Sequence, residues 1–180
     1  LICGIDLAIK RASSYCFIGG DRAKTFTEEG DEFEIVTSVG ARIVAIDAPL
    51  TPGAGMRSCE KELLKRGIRV FPTNFRFMKG LTRKGISLRA RLERVGIEVI
   101  ETYPTGIYRS LGLRRPRRVS EIAEVRSKLE EISGVRLESK PKSVDELDSY
   151  ACALVALFKT RGLVEVLGEG DCLLYLPKIR

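Results

Sequence analysis

The 180-residue chain contains no histidine, no glutamine and no tryptophan, and its single asparagine is Asn74. Without imidazole, Ser-His-Asp or Cys-His catalysis, histidine-ligated zinc and a histidine proton shuttle are excluded. The remaining options are carboxylates with a hard metal ion, a perturbed lysine or a bare thiolate. Long apolar runs are also lacking: none approaches the roughly 18 uncharged residues of a membrane span, and Leu1 to Asp6 reads as a strand rather than a basic leader. These absences lead us to expect a soluble, cytoplasmic protein. The five cysteines, Cys3, Cys16, Cys59, Cys152 and Cys172, are odd in number, show no CxxC spacing and sit mostly in apolar runs. Reduced thiols are expected rather than a disulfide framework. The scarcity of amide side chains beside abundant Lys, Arg and Glu is a bias associated with work at high temperature.

What is present is a charge of one sign in one place. The chain is 44% hydrophobic, which suffices for one sizeable core and a single domain over residues 1–180. The net charge of +7 arises in the middle third, where residues 57–118 hold 17 basic and 5 acidic side chains. Arg57, Arg76, Arg109 and a run at Arg114, Arg115, Arg117 and Arg118 belong to this stretch, interleaved with Phe71, Phe75, Phe77, Tyr103 and Tyr108. Such a stripe suits a polyanionic backbone with aromatics stacking on unpaired bases. It suits equally well the solvated faces of helices, because a charge run alone names no partner.

Periodicity gives the architecture. Ile2 to Asp6, Ser14 to Ile18 and Ala23 to Thr27 read as an antiparallel meander turning at Gly19-Gly20-Asp21. Helix spacing over Asp31 to Val39 precedes Ile43 to Asp47, an apolar run without alternation, as expected of a strand covered on both faces. Helices follow around Arg57 to Arg66 and Phe77 to Val95, a basic helical insertion around residues 57–95. A strand is expected at Glu98 to Thr102, helices around Thr105 to Leu111, Ser120 to Ile132 and Ser143 to Thr160, and a last strand at Cys172 to Leu176. This order predicts an α/β fold: a mixed five-stranded sheet flanked by helices, with later strands parallel to the first.

Three apolar runs finish in an acid, at Asp6, Asp47 and Glu101. Ligands of open α/β sheets bind beyond the carboxyl ends of parallel strands, so these acids converge on one crevice. Asp145 and Asp148, three apart, share a face at the start of a helix that is nearly apolar all round. Two carboxylates about 4 Å apart repel by roughly 4 kcal/mol at an effective dielectric near 20, so such a cluster requires a cation or bound protons. With only oxygen ligands available, the cation is Mg²⁺ or Mn²⁺. Each acid has a structural role to set against this. Asp6 and Asp47 suit turn openings, Asp145 suits the first turn of a helix capped by Ser143, and Glu101 suits a strand end. Asp148 lies past the first turn, where the dipole role weakens.

Asp6 ending the first strand, an acid ending the fourth, and Asp145-x-x-Asp148 on the last long helix resemble the ribonuclease H-like superfamily, whose Holliday-junction resolvases carry a similar helix. More closely, Gly4-Ile5-Asp6-Leu7-Ala8, Ala45-Ile46-Asp47-Ala48-Pro49-Leu50, Arg57-x-Cys59-Glu60, Glu101-Thr102-Tyr103-Pro104-Thr105-Gly106, Asp145-Glu146-Leu147-Asp148-Ser149-Tyr150 and Gly168-Glu169-Gly170 resemble, in order, the family called domain of unknown function 429, regarded as ribonuclease H-like nucleases. The resemblance runs from the first strand to the last. It implies a ribonuclease H-like three-layer fold, with the family's acids at Asp6, Asp47 and Asp148 and with Glu101 and Asp145 as further catalytic candidates.

The expected function is a metal-dependent nuclease acting on DNA or RNA. Asp6, Asp47 and Asp148 are expected to hold Mg²⁺ or Mn²⁺, while Lys10, Arg11, Arg57, Arg76 and Arg109 hold the substrate's phosphates. Two other classes are to be weighed against it. One is a nucleic-acid binding module without turnover; the other is a nucleotide-handling phosphotransfer enzyme, against which stands the lack of a glycine or threonine pair after Asp6.

Overall fold

A computed structural model describes residues 1–170 and 172–178. Its centre is one sheet built around β1 (Ile2–Asp6), which pairs antiparallel with β2 (Ser13–Gly19) and parallel with β4 (Ile43–Asp47). Outward on one side lie β3 (Arg22–Glu28) and β6 (Arg136–Leu137). On the other side lie β5 (Glu98–Thr102), β8 (Leu174–Pro177) and β7 (Val164–Leu167), giving the order β6-β3-β2-β1-β4-β5-β8-β7. The mixed sheet flanked by helices is as the sequence predicts, but among the described residues it has eight strands rather than five, because the final extended segment joins it and two short strands are added. The last strand runs from Leu174, and β6 and β7 are additional. The two extra strands are short and sit at the sheet's rims, where two to four residues carry too little alternation to be recognised locally.

Helices cover both faces. On one face α6 (Val144–Thr160) lies against the central strands, flanked by α4 (Pro104–Ser110), α5 (Ile122–Ser133) and α2 (Ser58–Lys65). On the other, α1 (Glu32–Ser38) and α3 (Met78–Arg94) cover Cys3, Ile5, Val44, Ile46 and Val99. A 3-10 turn, Val119–Glu121, leads into α5. From Glu146 to Phe158 every residue of α6 is buried, which accounts for its apolar character all round. The helix can sit so low because β1 carries Gly4: a Cβ there would fall 2.2 Å from the Ser149 carbonyl oxygen and the Ala153 nitrogen. Gly85 does the same for α3, admitting the Pro49 carbonyl where a Cβ would meet it at 2.6 Å.

One sequence expectation needs correcting. Cys59 and Cys172 form a disulfide across 113 residues, with Cα atoms 5.6 Å apart, while Cys3, Cys16 and Cys152 are free and buried. The pair is invisible to local spacing because Gly168, Glu169 and Cys172 are brought onto α2 only by folding. Ser58 Oγ donates to the Glu169 carbonyl and accepts from the Glu169 N–H, and the Gly168 N–H donates to Glu62. No helix among the described residues is long and apolar enough to cross a membrane.

Candidate active site

The first two acids are brought together by strand register. Asp6 and Asp47 are the last residues of adjacent parallel strands and are directly paired, so their side chains leave the same face at neighbouring strand spacing, about 4.8 Å. The helix partners arrive because α6 starts over the end of β1. With Ser149 and Ala153 seated on Gly4, Asp148 and Asp145 lie just beyond it, over Asp6. One carboxylate oxygen each of Asp6, Asp145 and Asp148 lies within 4.8 Å of the others. Ser143 caps the helix by accepting from the Glu146 N–H at 3.1 Å, while the Glu146 carboxylate accepts from the Lys142 N–H and the Thr27 hydroxyl. Capping is therefore carried by Ser143 and Glu146, which leaves Asp145 and Asp148 to the crevice.

The cluster is electrostatically frustrated. Burial, together with the charges of Asp47 and Asp148, pushes the Asp6 carboxyl up to about 8, against the opposing pull of Arg11 and Arg115. Asp47 is also pushed up to about 8, by burial and by Asp148. Asp148 is fully buried, and burial raises its pKa although Arg115 pulls the other way. Two guanidinium groups offset part of the charge. Arg115 Nε donates to Asp148 Oδ2 at 2.9 Å, with a second bond from the same guanidinium, and Arg11 pairs with Asp145. The other oxygen, Asp148 Oδ1, is buried beside the Tyr108 hydroxyl, whose hydrogen-bonding pull also lowers the Asp148 carboxyl. An oxygen-only donor set suits a hard divalent cation, and Asp6, Asp145 and Asp148 are the residues close enough together to hold it, with Asp47 beside Asp6.

Glu101 and Arg57 form a second group next to Asp47, whose carboxyl Glu101 also helps to raise. β5 extends one residue past Glu101, and it is Thr102 that pairs with Asp47 while Glu101 pairs with Ile46. Because side chains alternate along a strand, Glu101 leaves the sheet on the face opposite Asp6 and Asp47. There Arg57 donates two hydrogen bonds to it, at 3.0 and 2.7 Å, and the Leu50 N–H a third at 2.8 Å. Arg57 is only 3% exposed, and its remaining donors go to Glu60 and Thr51. Glu101 and Arg57, expected as a catalytic acid and a phosphate contact, form a mutual buried ion pair that joins α2 to β5. The burial of Cys59 and Cys172 beside Glu101 completes this structural node.

Of the other expected phosphate ligands, Lys10, Arg11, Arg76 and Arg109 are all exposed. Lys10 and Arg11 follow Asp6 in the β1–β2 connection, and Arg11 reaches the acids. Arg109 lines a cleft of about 540 Å³ together with Thr105, Arg114, Arg115 and Arg117. Arg115 belongs both to that cleft and to the acidic cluster, so it is the functional candidate the sequence did not single out. Its only signal there was membership of the run 114–118, in which nothing distinguishes one arginine from the next.

The comparisons agree with this architecture. None of the curated proteins compared with the chain matches it at a significant level. Among solved structures, the chain is similar to Thermus thermophilus RuvC in complex with a Holliday junction substrate, with TM-score 0.53 and 13% identity over 89% of this chain and 94% of that one. A second Thermus thermophilus RuvC structure gives TM-score 0.50 and 13% identity over 89% and 95%. At that identity the likeness speaks for the fold, which is ribonuclease H-like. Residues 4–171 match the model of a family described as a protein of unknown function, DUF429, and the chain belongs to that family.

Proposed function

We propose that the protein is a divalent-metal-dependent nuclease that hydrolyses a phosphodiester of DNA or RNA at the Asp6, Asp47, Asp145 and Asp148 cluster. The observation that carries this reading is the gathering of carboxylates from β1, β4 and α6 in one crevice, with Asp6, Asp145 and Asp148 oxygens within 4.8 Å of one another and Asp47 paired with Asp6. Bound Mg²⁺ or Mn²⁺ would lower the pKa of an attacking water and offset the charge growing on the phosphate oxygens. The chain's own part is to present the acids preorganised on strand ends and a helix, so that no loop has to order first. Because burial and mutual repulsion raise the Asp6 and Asp47 carboxyls, loading the cluster releases protons and tightens as pH rises through their titration. Arg115, freed from Asp148 Oδ2, is placed to turn its guanidinium to a phosphate oxygen. The basic residues Lys10, Arg11, Arg76 and Arg109 supply salt-sensitive attraction for the strand.

The test is cleavage of labelled single-stranded, duplex and branched nucleic acid by purified protein with Mg²⁺ or Mn²⁺, alongside the Asp6→Asn variant. Metal-dependent products that disappear in the variant support the proposal. Absence of products from every substrate, or unchanged cleavage by the variant, rejects it.

One observation favours a second reading. The Arg115 and Arg11 pairs already satisfy part of the acidic cluster, as a binding module without turnover would require. Its signature is salt-sensitive binding without products, unchanged by a chelator.

A further inference from the structure

Beside the acids, at the ends of β4 and β5, lies a second cavity of about 200 Å³. Asp47 forms one edge, shared with the acidic crevice. Ala48, Val70, Phe71, Met78, Leu81 and Leu174 supply apolar walls, and the Arg57–Glu60–Glu101 group closes the charged side. Three features restrict what can enter. First, the cavity is smaller than the roughly 300–1,000 Å³ of typical ligand pockets, so it has room for one ring system rather than a whole nucleotide. Second, the arginine within it is spent. Arg57 donates to Glu60, Glu101 and Thr51, and its single positive charge faces two glutamates, so a phosphate entering here meets net negative charge. Third, Phe71 in the cavity wall is exposed and sits in contact with two further exposed rings outside the cavity. Phe71, Phe75 and Phe77 are 58%, 43% and 60% exposed, with the Phe71 ring 5.2 Å from that of Phe77 and 6.3 Å from that of Phe75. Three phenylalanines presented together to solvent on one loop form an apolar patch of the kind that marks a binding surface.

We propose that this cavity receives one unpaired nucleobase of the strand whose phosphodiester lies at Asp47, with Phe71 stacking on its face. The inference rests on the proposed nuclease reading and narrows its substrate to nucleic acid whose bases are unstacked next to the cleavage site. A neutral, flat, apolar-faced ring satisfies all three restrictions, and Asp47 places it next to the backbone held by the acids. A continuous duplex keeps its bases stacked in the helix and offers the cavity nothing unless it first pays for unstacking.

The chain's lack of tryptophan provides a clean test. Phe71→Trp makes a single fluorophore in the cavity wall of the full-length protein. With chelator present, a single-stranded oligonucleotide should quench its emission at the same midpoint as binding followed by anisotropy. An abasic strand of equal length and charge should bind roughly tenfold more weakly and leave the emission unchanged. In parallel, 2-aminopurine in the strand should brighten on binding wild-type protein, and a cavity-filling Val70→Trp variant should abolish that change. This second arm remains informative if Phe71→Trp folds poorly. Equal binding and quenching by the abasic strand, or by a continuous duplex, overturns the proposal. Quenching by free adenosine at the same concentrations reassigns the cavity to a free nucleoside and overturns it too. If base-dependent quenching persists while no substrate is cleaved with Mn²⁺, the nuclease reading falls and the cavity assignment stands. If cleavage is metal-dependent but indifferent to missing bases, only the cavity assignment falls.

Discussion

Two groups of carboxylates sit at the same edge of the sheet, on opposite faces, and they are solved differently. Around Glu101, each acid has a partner: Arg57 spans Glu60 and Glu101, and the Leu50 and Arg57 N–H groups complete the set. Around Asp6, four acids share two arginines. The first arrangement is complete without any ligand and behaves as structure. The second is poised, because its acids retain protons or await a cation. Both groups are carboxylates at the core's edge, with Asp47 and Asp145 only half-buried; the supply of counter-charge is what distinguishes the first, a brace, from the second.

That contrast is open to direct attack. The largest effect is expected in cleavage assays with Mn²⁺, where Asp47→Asn or Asp148→Asn should reduce turnover by roughly 10²-fold or more, since metal-held charge stabilisation is worth several kcal/mol. The same substitutions should leave the metal-free melting temperature unchanged or raised, because they relieve repulsion. A marked loss of thermal stability in either variant would erase the distinction between the two groups. In the brace the pattern reverses. Arg57→Ala leaves two glutamates buried without a cation and should cost about 3–5 kcal/mol in denaturant unfolding, the range for breaking a buried pair from one side. A cost under about 1 kcal/mol would show that Glu60 and Glu101 find water or protons instead.

The Cys59–Cys172 bond belongs to the brace side of the comparison. Comparing chemical denaturation with and without a dithiol reductant should show a loss of about 2–4 kcal/mol on reduction, because the bond closes a loop of more than a hundred residues. Mass spectrometry of alkylated protein should find the three other cysteines as free thiols.

A smaller, more specific effect is expected in the pH dependence of stability. Asp6 and Asp47 titrate near 8 when folded but near 3.8 when unfolded. Between these values the folded state holds the extra protons, so their contribution to metal-free stability declines as pH rises through the window and levels off above about 8. Thermal melts from pH 5 to 9 should show this slope in wild type, a shallower one in Asp6→Asn, and a shallower one again when Mn²⁺ is added. An unchanged slope in Asp6→Asn would place the raised titration elsewhere.

Much of the frame was legible because its causes are local. The run Ile43 to Asp47 has no polar alternation because β4 is covered on both faces, and α6 is apolar all round because it lies against the central strands on one side and against α4 and α5 on the other. Asp6 and Asp47 were recognisable as strand-end acids since each run stops where its strand stops. Glu101 misled for the converse reason: β5 continues through Thr102, and a one-residue difference in a period of two sends the side chain to the other face. Arg115 carries no local mark at all, since its place depends on how the connection after α4 folds back over Asp148.

By itself, then, the order of residues determined the layers, the parallel centre and the acidic ends of β1, β4 and α6, all of which follow from apolar periodicity within a few residues. Only the tertiary structure decided which carboxylates share a pocket and which are neutralised, which of many arginines reaches them, and that Cys59 meets Cys172. Those outcomes depend on pairwise distances between groups 33 to 134 positions apart in the chain, such as Arg115 with Asp148 and Arg11 with Asp145. Charge and covalent bonding act through space at a few ångströms, and no periodicity along the sequence records such a distance.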